Sequence, residues 1–332
     1  MKAIVATGYG SPDVLRLQEV PTPTPKAKEV RIRIHATTVT AGDCELRRFE
    51  MPALFWLPLR LFVGVTKPRV GILGQELSGE IDAVGEDVTR FKKGDQVFGP
   101  TEVSFGAHAE YICLPESYAI ATRPASMSHE EAAGISVGGL NALYFIRRAD
   151  IKRGEEVLIN GAGGSIGTLA VQMAKSLAAV VTAVDSTTKL EMLRSVGADH
   201  VIDYTREDFT QRAGAYDVVF DIVGKSSFSG SLKALKPKGR YVLANFSVSG
   251  AVRGLWVSMT GTKKVIQGLA PYRSEDLVHL KELIEGGRLK AVIDKRYPLE
   301  QTEEAHRYVE TGGKRGNVVI TVGPTASHDG VS

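Results

Sequence analysis

Three glycines, Gly161, Gly164 and Gly167, stand three residues apart in "VLINGAGGSIGTLAVQMAKSLAAVVTAVD". An apolar run leads into them, a helical pattern follows, and a second apolar run ends at Asp185. Glycines there permit a tight turn and let the backbone approach a pyrophosphate, while the helix N-terminus offers N–H donors and partial positive charge. The spacing is GxxGxxG rather than GxGxxG, but strand, turn, helix and second strand stand where a dinucleotide site requires them. Asp185 lies 18 residues beyond Gly167, placed to accept the ribose hydroxyls of NADH and to repel a 2′-phosphate. Ser186, Thr187 and Lys189 follow it and could hold that phosphate if the carboxylate turns away. Electrostatics alone favours NADH, and these three residues keep NADPH open.

A second constellation is "ILGQELSGEI", which sets Gln75 and Glu76 inside an apolar run. Buried without partners, such groups cost several kcal/mol, so a metal, a substrate or a hydrogen-bond network must satisfy them. Two cysteines, Cys44 and Cys113, have no metal-ligand spacing and cannot form a disulfide framework, which points to a reducing, cytoplasmic setting. Cys44 reads as a small pocket or core residue, His35 as part of a half-exposed strand, and His108 as a surface residue, with a place lining a cleft as its alternative. Neither histidine has a visible acid partner, so no catalytic dyad is assigned.

The elements that must position these groups divide the chain. At 332 residues it has the length of two domains, and 24% charged with 43% hydrophobic residues is the balance of a globular protein. The 41 basic and 38 acidic side chains give no excess that would mark a nucleic-acid partner. No signal core opens the chain, and no apolar run reaches the roughly 20 residues of a membrane span. Residues 1–122 alternate short β-rich runs with Gly and Pro turns, a compact β domain in which "PTPTP" is a connector. Ser128 then caps a helix, and residues 123–268 alternate strands with helices, the pattern of a doubly wound parallel sheet. In its first helix Ile166, Leu169, Met173 and Leu177 share one face. Residues 269–332, with a helix over "SEDLVHLKELIEGG" and β-like pieces "KAVID" and "NVVITV", are expected to return and complete the first domain. Between Arg47 and Arg69 an apolar segment rich in basic residues carries Phe49, Phe55, Trp56 and Phe62, which could cap an aromatic ligand, form a dimer contact or rest on a membrane surface.

Across nearly its whole length the chain resembles the medium-chain dehydrogenase/reductase superfamily, in its zinc-free quinone oxidoreductase branch. The marks are "GQELSGEI", "VGEDVTRFKKGDQVFG", "FGAHAEY", "NGAGGSIG" and "RSVGADHVIDY". The resemblance implies an α/β protein with a GroES-like β-rich catalytic domain and a Rossmann cofactor domain. Zinc-binding members carry ligands where this chain has Thr40, Gln75 and Gly134, so no zinc is expected. Gln75 and Glu76 would then form a polar floor bonded to backbone, Thr40 or Asp43. Carried over by position, cofactor contacts fall on Thr40, Asn141, Gly164, Ser165, Ile166, Lys189, Tyr204, Asn245 and Phe246. Lys189 and Tyr204 match holders of a 2′-phosphate, so the resemblance leans to NADPH, with NADH kept open by Asp185. The implied activity is hydride transfer to a quinone or an α,β-unsaturated carbonyl, small-molecule acceptors that delocalise their own charge. Thr40, Asp43 and Gln75 are the candidates for positioning that acceptor, and the resemblance further implies a homodimer. Two alternatives stand beside this: a carbonyl reductase or alcohol dehydrogenase needing a proton donor, and a nucleotide-binding scaffold without turnover.

Overall fold

Residues 1–49, 60, 64–65, 68–69, 71–245 and 248–323 are described by the computed structural model of the chain. Phe55, Trp56, Phe62 and Phe246 lie outside them. The chain forms two units, one of residues 1–137, 272–281 and 293–332 and one of residues 138–271 and 282–292.

The first unit opens with β1 (Lys2–Ala6) and β2 (Leu15–Glu19), an antiparallel pair. Strand β3 (Glu29–Thr38) shows why its neighbours assemble on it. Val30, Ile32, Ile34 and Ala36 alternate with more exposed residues and are buried, the period-two pattern of a strand with one face inward. Helix α1 (Ala41–Arg48) follows, then β4 (Glu76–Val84), β5 (Gln96–Pro100), β6 (Tyr111–Pro115) and β7 (Ala121–Thr122). "PTPTP" is irregular, as its missing N–H donors require. Helix α2 (His129–Ala149) begins after Ser128, whose Oγ accepts from Glu131 N at 3.2 Å while Glu131 Oε2 accepts from Ser128 N at 2.9 Å. That reciprocal pair is a capping box.

In the second unit β8 (Glu156–Asn160), α3 (Ser165–Ser176), β9 (Val180–Asp185), α4 (Leu190–Ser195), β10 (His200–Asp203), β11 (Tyr216–Asp221), α5 (Phe228–Ala234), β12 (Leu235–Leu243), α6 (Val248–Thr260) and β13 (Lys264–Gln267) follow in order. All the strand pairings are parallel, and the order is β10-β9-β8-β11-β12-β13 among the described residues. This is the doubly wound 3-2-1-4-5-6 arrangement, whose order reverses between β8 and β11. Val157–Ile159, Val181–Val184 and Val218–Phe220 are buried without alternation, because helices cover both faces of such a sheet. On α3, Leu169 and Met173 are buried, whereas Ile166 is half-buried and Leu177 is exposed as the C-cap residue. The expected apolar face therefore stops one turn early, because Leu177 no longer follows the helix.

Helix α7 (Ser274–Glu285), β14 (Ile293–Pro298), α8 (Thr302–Glu310) and β15 (Asn317–Thr321) complete the chain's regular elements. The first unit's larger sheet runs β14-β15-β3-β4-β5-β7, with β6 also paired to β3. Strand β14 starts later than "KAVID" suggests. Lys290 is held instead by Gln172, whose Oε1 accepts from Lys290 N at 2.9 Å and whose Nε2 donates to Lys290 O at 3.0 Å. Its backbone groups are satisfied there rather than in a ladder. Among the described residues no helix is long and apolar enough to cross a membrane.

Candidate functional site

In the second unit the chemistry gathers at the carboxyl ends of the strands, where ligands bind in open α/β sheets. The chain leaves β8 through Gly161, whose φ of 82° is a left-handed conformation that glycine adopts without steric cost. Gly164 is the N-cap of α3 and makes no side-chain cap bond. A Cβ at Gly164 would meet only Gly161 O, at 3.8 Å, so the space before the helix is open to a ligand. At Gly167 a Cβ would lie 2.4 Å from Gly161 O and 2.5 Å from Ala162 O, so this glycine serves close packing of helix on turn. The three glycines thus divide the labour of turn, approach and packing, and the cradle fits a pyrophosphate on the N-terminus of α3.

Asp185, the last residue of β9, is buried beside this loop. Its Oδ2 accepts from Gly163 N at 2.8 Å and its Oδ1 from Ser186 N at 2.8 Å. Lys189 Nζ lies 3.0 Å from Oδ1 and is buried as well. The turn Thr187–Lys189 brings the lysine back over the carboxylate four residues behind it. Asp185 and Lys189, expected to act separately on the ribose and its phosphate, are thus paired with each other. Gly163 falls outside the glycine spacing, yet it ties the phosphate turn to Asp185, and a Cβ there would lie 2.5 Å from Lys189 Cδ. Thr187 Oγ1 donates to Asp203 Oδ2, and Ser186 is close to Asp185 Oδ1 and Thr188. Tyr204 donates its N–H to Asp185 O at 3.2 Å and exposes its side chain at the same sheet edge.

A further residue without a sequence signature organises this edge. Asp221 ends β11 fully buried and accepts from Asn160 Nδ2 at 3.0 Å, Gly224 N at 2.9 Å, Tyr241 Oη at 3.1 Å and the Ser226 hydroxyl. It locks the ends of β8 and β11 on either side of the switch point. Asn245 donates weakly to Val223 O at 3.4 Å, following β12. Asn141 on α2 and Ser165 and Ile166 on α3 are half-buried in the same unit, while Phe246 falls outside the described residues.

In the first unit Thr40, Asp43 and Gln75 come together. Thr40 is the N-cap of α1, where its Oγ1 accepts from Asp43 N at 3.1 Å and donates to Asp43 Oδ2 at 2.7 Å. Gln75 Nε2 donates to the same Thr40 oxygen at 3.1 Å, and Asp43 Oδ1 accepts from Gly74 N at 3.1 Å. The Thr40 hydroxyl has one donor and two acceptor positions, and all three are engaged. Glu76 turns the other way and is fully buried. Its Oε1 accepts from Thr38 Oγ1 and its Oε2 from Val137 N at 2.6 Å. Burial pushes its carboxyl up to about 7, although both donors favour the ionised form. Gln75 and Glu76 are therefore satisfied by the protein itself, Glu76 as a tie between β3 and α2.

His108 is not at the surface. It is fully buried, and its Nε2 donates to Thr38 O at 3.0 Å. Gly74, at φ 105°, makes room for it, since a Cβ there would lie 2.7 Å from His108 N. The His306 ring packs against it at 5.6 Å, and His306 Nδ1 lies 3.5 Å from Cys44 Sγ. Burial holds His306 well below the usual imidazole range and raises the Cys44 thiol to about 12, with Asp43 adding to the latter. Cys44 is thus an inert core thiol. Gly134 leaves its space to Asn317, 3.1 Å from where a Cβ would be. Among the described residues, no group of three or more His, Cys, Asp or Glu side chains is placed to hold a metal ion.

Residues 26–125 match the alcohol dehydrogenase GroES-like domain and residues 196–320 match the family model described as zinc-binding dehydrogenase. A 2-methylene-furan-3-one reductase of Solanum lycopersicum is 33% identical, over 96% of this chain and 79% of its own. An NADPH-dependent alkenal/one oxidoreductase, chloroplastic, of Arabidopsis thaliana is 32% identical over the same shares. The solved structure of the quinone oxidoreductase from Coxiella burnetii superposes with a TM-score of 0.87 at 29% identity, over 97% of this chain and 99% of that one. The chain belongs to the medium-chain dehydrogenase/reductase superfamily, in its quinone oxidoreductase-like branch.

Proposed function

We propose that this protein reduces quinones or α,β-unsaturated carbonyls with NADPH, without zinc. The observation that carries the reading is the open cradle at Gly164 beside a buried Asp185 already neutralised by Lys189. With its charge paired and both oxygens occupied, Asp185 no longer repels a 2′-phosphate as a bare carboxylate would. Lys189, Ser186, Thr187 and the exposed Tyr204 stand at the same edge to receive one. Gly161, Gly164, Ser165, Ile166 and Gly167 would carry the pyrophosphate, with Asn141 and Asn245 nearer the nicotinamide. A bound nicotinamide supplies the hydride.

Thr40, Asp43 and Gln75 would orient the acceptor. The Thr40 proton is committed to Asp43, so the protein offers little acid catalysis from this group. That suits an acceptor whose charge delocalises onto oxygen and which takes its proton from water. It disfavours simple carbonyl reduction, which needs a donor at the carbonyl oxygen. The tomato and Arabidopsis relatives, named for enone and alkenal reduction, and the Coxiella quinone oxidoreductase support the same choice. A homodimer, a reducing cytoplasmic setting suited to free Cys44 and Cys113, and cofactor and catalytic domains divided near residues 122 and 268 complete the proposal.

The test is loss of NADPH absorbance with a naphthoquinone, an enone and a simple ketone, followed by product analysis. Hydroquinone and saturated carbonyl are expected. Alcohol formed from the simple ketone at comparable efficiency would transfer the assignment to carbonyl reduction. Tight NADPH binding with no turnover of any acceptor would leave a scaffold.

A further inference from the structure

Beyond the carboxyl ends of β9 and β10 stand two cations of different kinds. Lys189 is buried against Asp185, and withdrawing it would strand a buried anion. Arg206 is the opposite case. Its side chain is 80% exposed, and its Nε stands 3.9 Å from Asp203 Oδ2, a long, solvated contact that costs little to give up. Among the described residues its guanidinium makes no other ion pair.

Asp203 ends β10 in register with Asp185 at the end of β9. Its Oδ2 accepts from the Thr187 hydroxyl, and its Oδ1 from Thr205 N at 3.0 Å and Thr205 Oγ1 at 2.7 Å. These bonds, that of Thr187 first, hold the Asp203 carboxyl below the usual carboxylate range, so the two strand ends present two fixed anions. Lys189 cancels one of them. The other leaves this edge net negative unless Arg206 is counted, and a 2′-phosphate arriving there would be repelled. Glu207, the next residue, is taken up by Arg212, whose Nε donates to its Oε1 at 2.7 Å. The turn itself brings Arg206 back to the edge. Tyr204 N donates to Asp185 O at 3.2 Å and Arg206 N to Asp203 O at 3.0 Å, so the guanidinium rests on the same carboxylate oxygen that takes the Thr187 proton.

We propose that Arg206 is a specificity-determining residue, which leaves Asp203 to grip the 2′-phosphate of NADPH. The planar fork of a guanidinium matches two phosphate oxygens, and Asp203 stays behind it, fixed by Thr187 and Thr205. With NADH bound, Arg206 remains on Asp203. The assignment rests on the NADPH reading above and adds the cation that produces the preference, with Lys189 retained as the counter-charge of Asp185.

Calorimetric titration of the full chain with NADPH, NADH, adenosine 2′,5′-bisphosphate and 5′-AMP tests it. Arg206→Gln should weaken NADPH and the bisphosphate about tenfold or more, and NADH and 5′-AMP by less than about twofold, as expected for one charge-assisted phosphate contact. At so exposed a position the melting temperature should hold. Asp203→Asn keeps an acceptor for Thr205 but removes the charge, and should move the ratio of affinities toward NADPH. A parent protein that binds NADH more tightly than NADPH would defeat the NADPH reading and this assignment with it. A parent that prefers NADPH, with the ratio unmoved by Arg206→Gln, would leave that reading standing and overturn the assignment alone. Equal weakening of all four ligands, or both variants moving the ratio in the same sense, would also overturn it, since the arginine would then shape the turn rather than read the phosphate.

Discussion

Lys189 Nζ stands 3.0 Å from Asp185 Oδ1, in a pair whose side chains are only 9% and 7% exposed. Two residues that could oppose each other over cofactor choice are therefore one electrostatic unit. Lys189→Ala leaves the carboxylate buried and unpaired, and should weaken NADPH about tenfold or more, with a smaller effect on NADH. Asp185→Ser frees the lysine but also removes the acceptor of Gly163 N, so both cofactors should weaken while the ratio of catalytic efficiencies moves toward NADPH. The double variant should be less destabilised than the sum of the singles, because each single strands a buried partner. Equal ratios in all three proteins would show that the pair does not read the ribose.

Gly164 and Gly167 separate binding from folding. Valine at position 164 has room in the protein, since its Cβ would meet one oxygen at 3.8 Å, but it occupies the path of a pyrophosphate. Gly164→Val should fold with a melting temperature near that of the parent and bind NADPH at least about a hundredfold more weakly, as expected from blocking the phosphate cradle. Gly167→Ala drives a Cβ to within 2.5 Å of two backbone oxygens and should lower stability. Intact NADPH binding by a folded Gly164→Val protein would reduce the loop to a packing turn.

The parallel sheet was legible because strands buried on both faces are written as continuous apolar runs, and β8, β9 and β11 are such runs. Helix α8 was not. Its buried side includes Thr302 and His306 beside Ala305 and Val309, so the residues facing inward do not stand out as an apolar stripe. His108 misled for a related reason, since its burial depends on the turn at Gly74, far away in sequence. The Asp185–Lys189 pair carried a readable signal in its four-residue spacing, but opposing charges beside a nucleotide motif suggested opposing roles. Asp221 had no such mark, because its four donors, Asn160, Gly224, Ser226 and Tyr241, come from three separate stretches of chain.

The zinc prediction rests on how Gln75 is used. Its amide donates to Thr40, and Gly134 faces Asn317, so the three positions that would carry ligands are engaged with protein groups. Dialysis against a strong chelator should leave reductase activity unchanged, and elemental analysis should find zinc well below one per chain. Loss of activity on chelation with recovery on added zinc would reverse the assignment.

Glu76 gives a pH dependence of stability opposite to that of an ordinary paired carboxylate. Burial raises its folded pKa from 4.5 to about 7. Below the unfolded value both states are protonated and Glu76 costs nothing. As pH rises through this window the unfolded chain releases the proton first, so its share of folding stability falls and stays lost above pH 7. A shift of this size corresponds to roughly 3 kcal/mol at full development. In Glu76→Gln the amide oxygen can accept from Val137 N while its NH₂ donates to a reoriented Thr38 hydroxyl, keeping the tie without the charge. Urea unfolding of both proteins between pH 4.5 and pH 8 isolates the effect, because His306 and every other titrating group are common to the two. The stability of Glu76→Gln relative to the parent should rise across that range by up to about 3 kcal/mol. A difference that stays flat with pH would mean that Thr38 and Val137 hold the carboxylate ionised throughout, and that its burial is fully compensated.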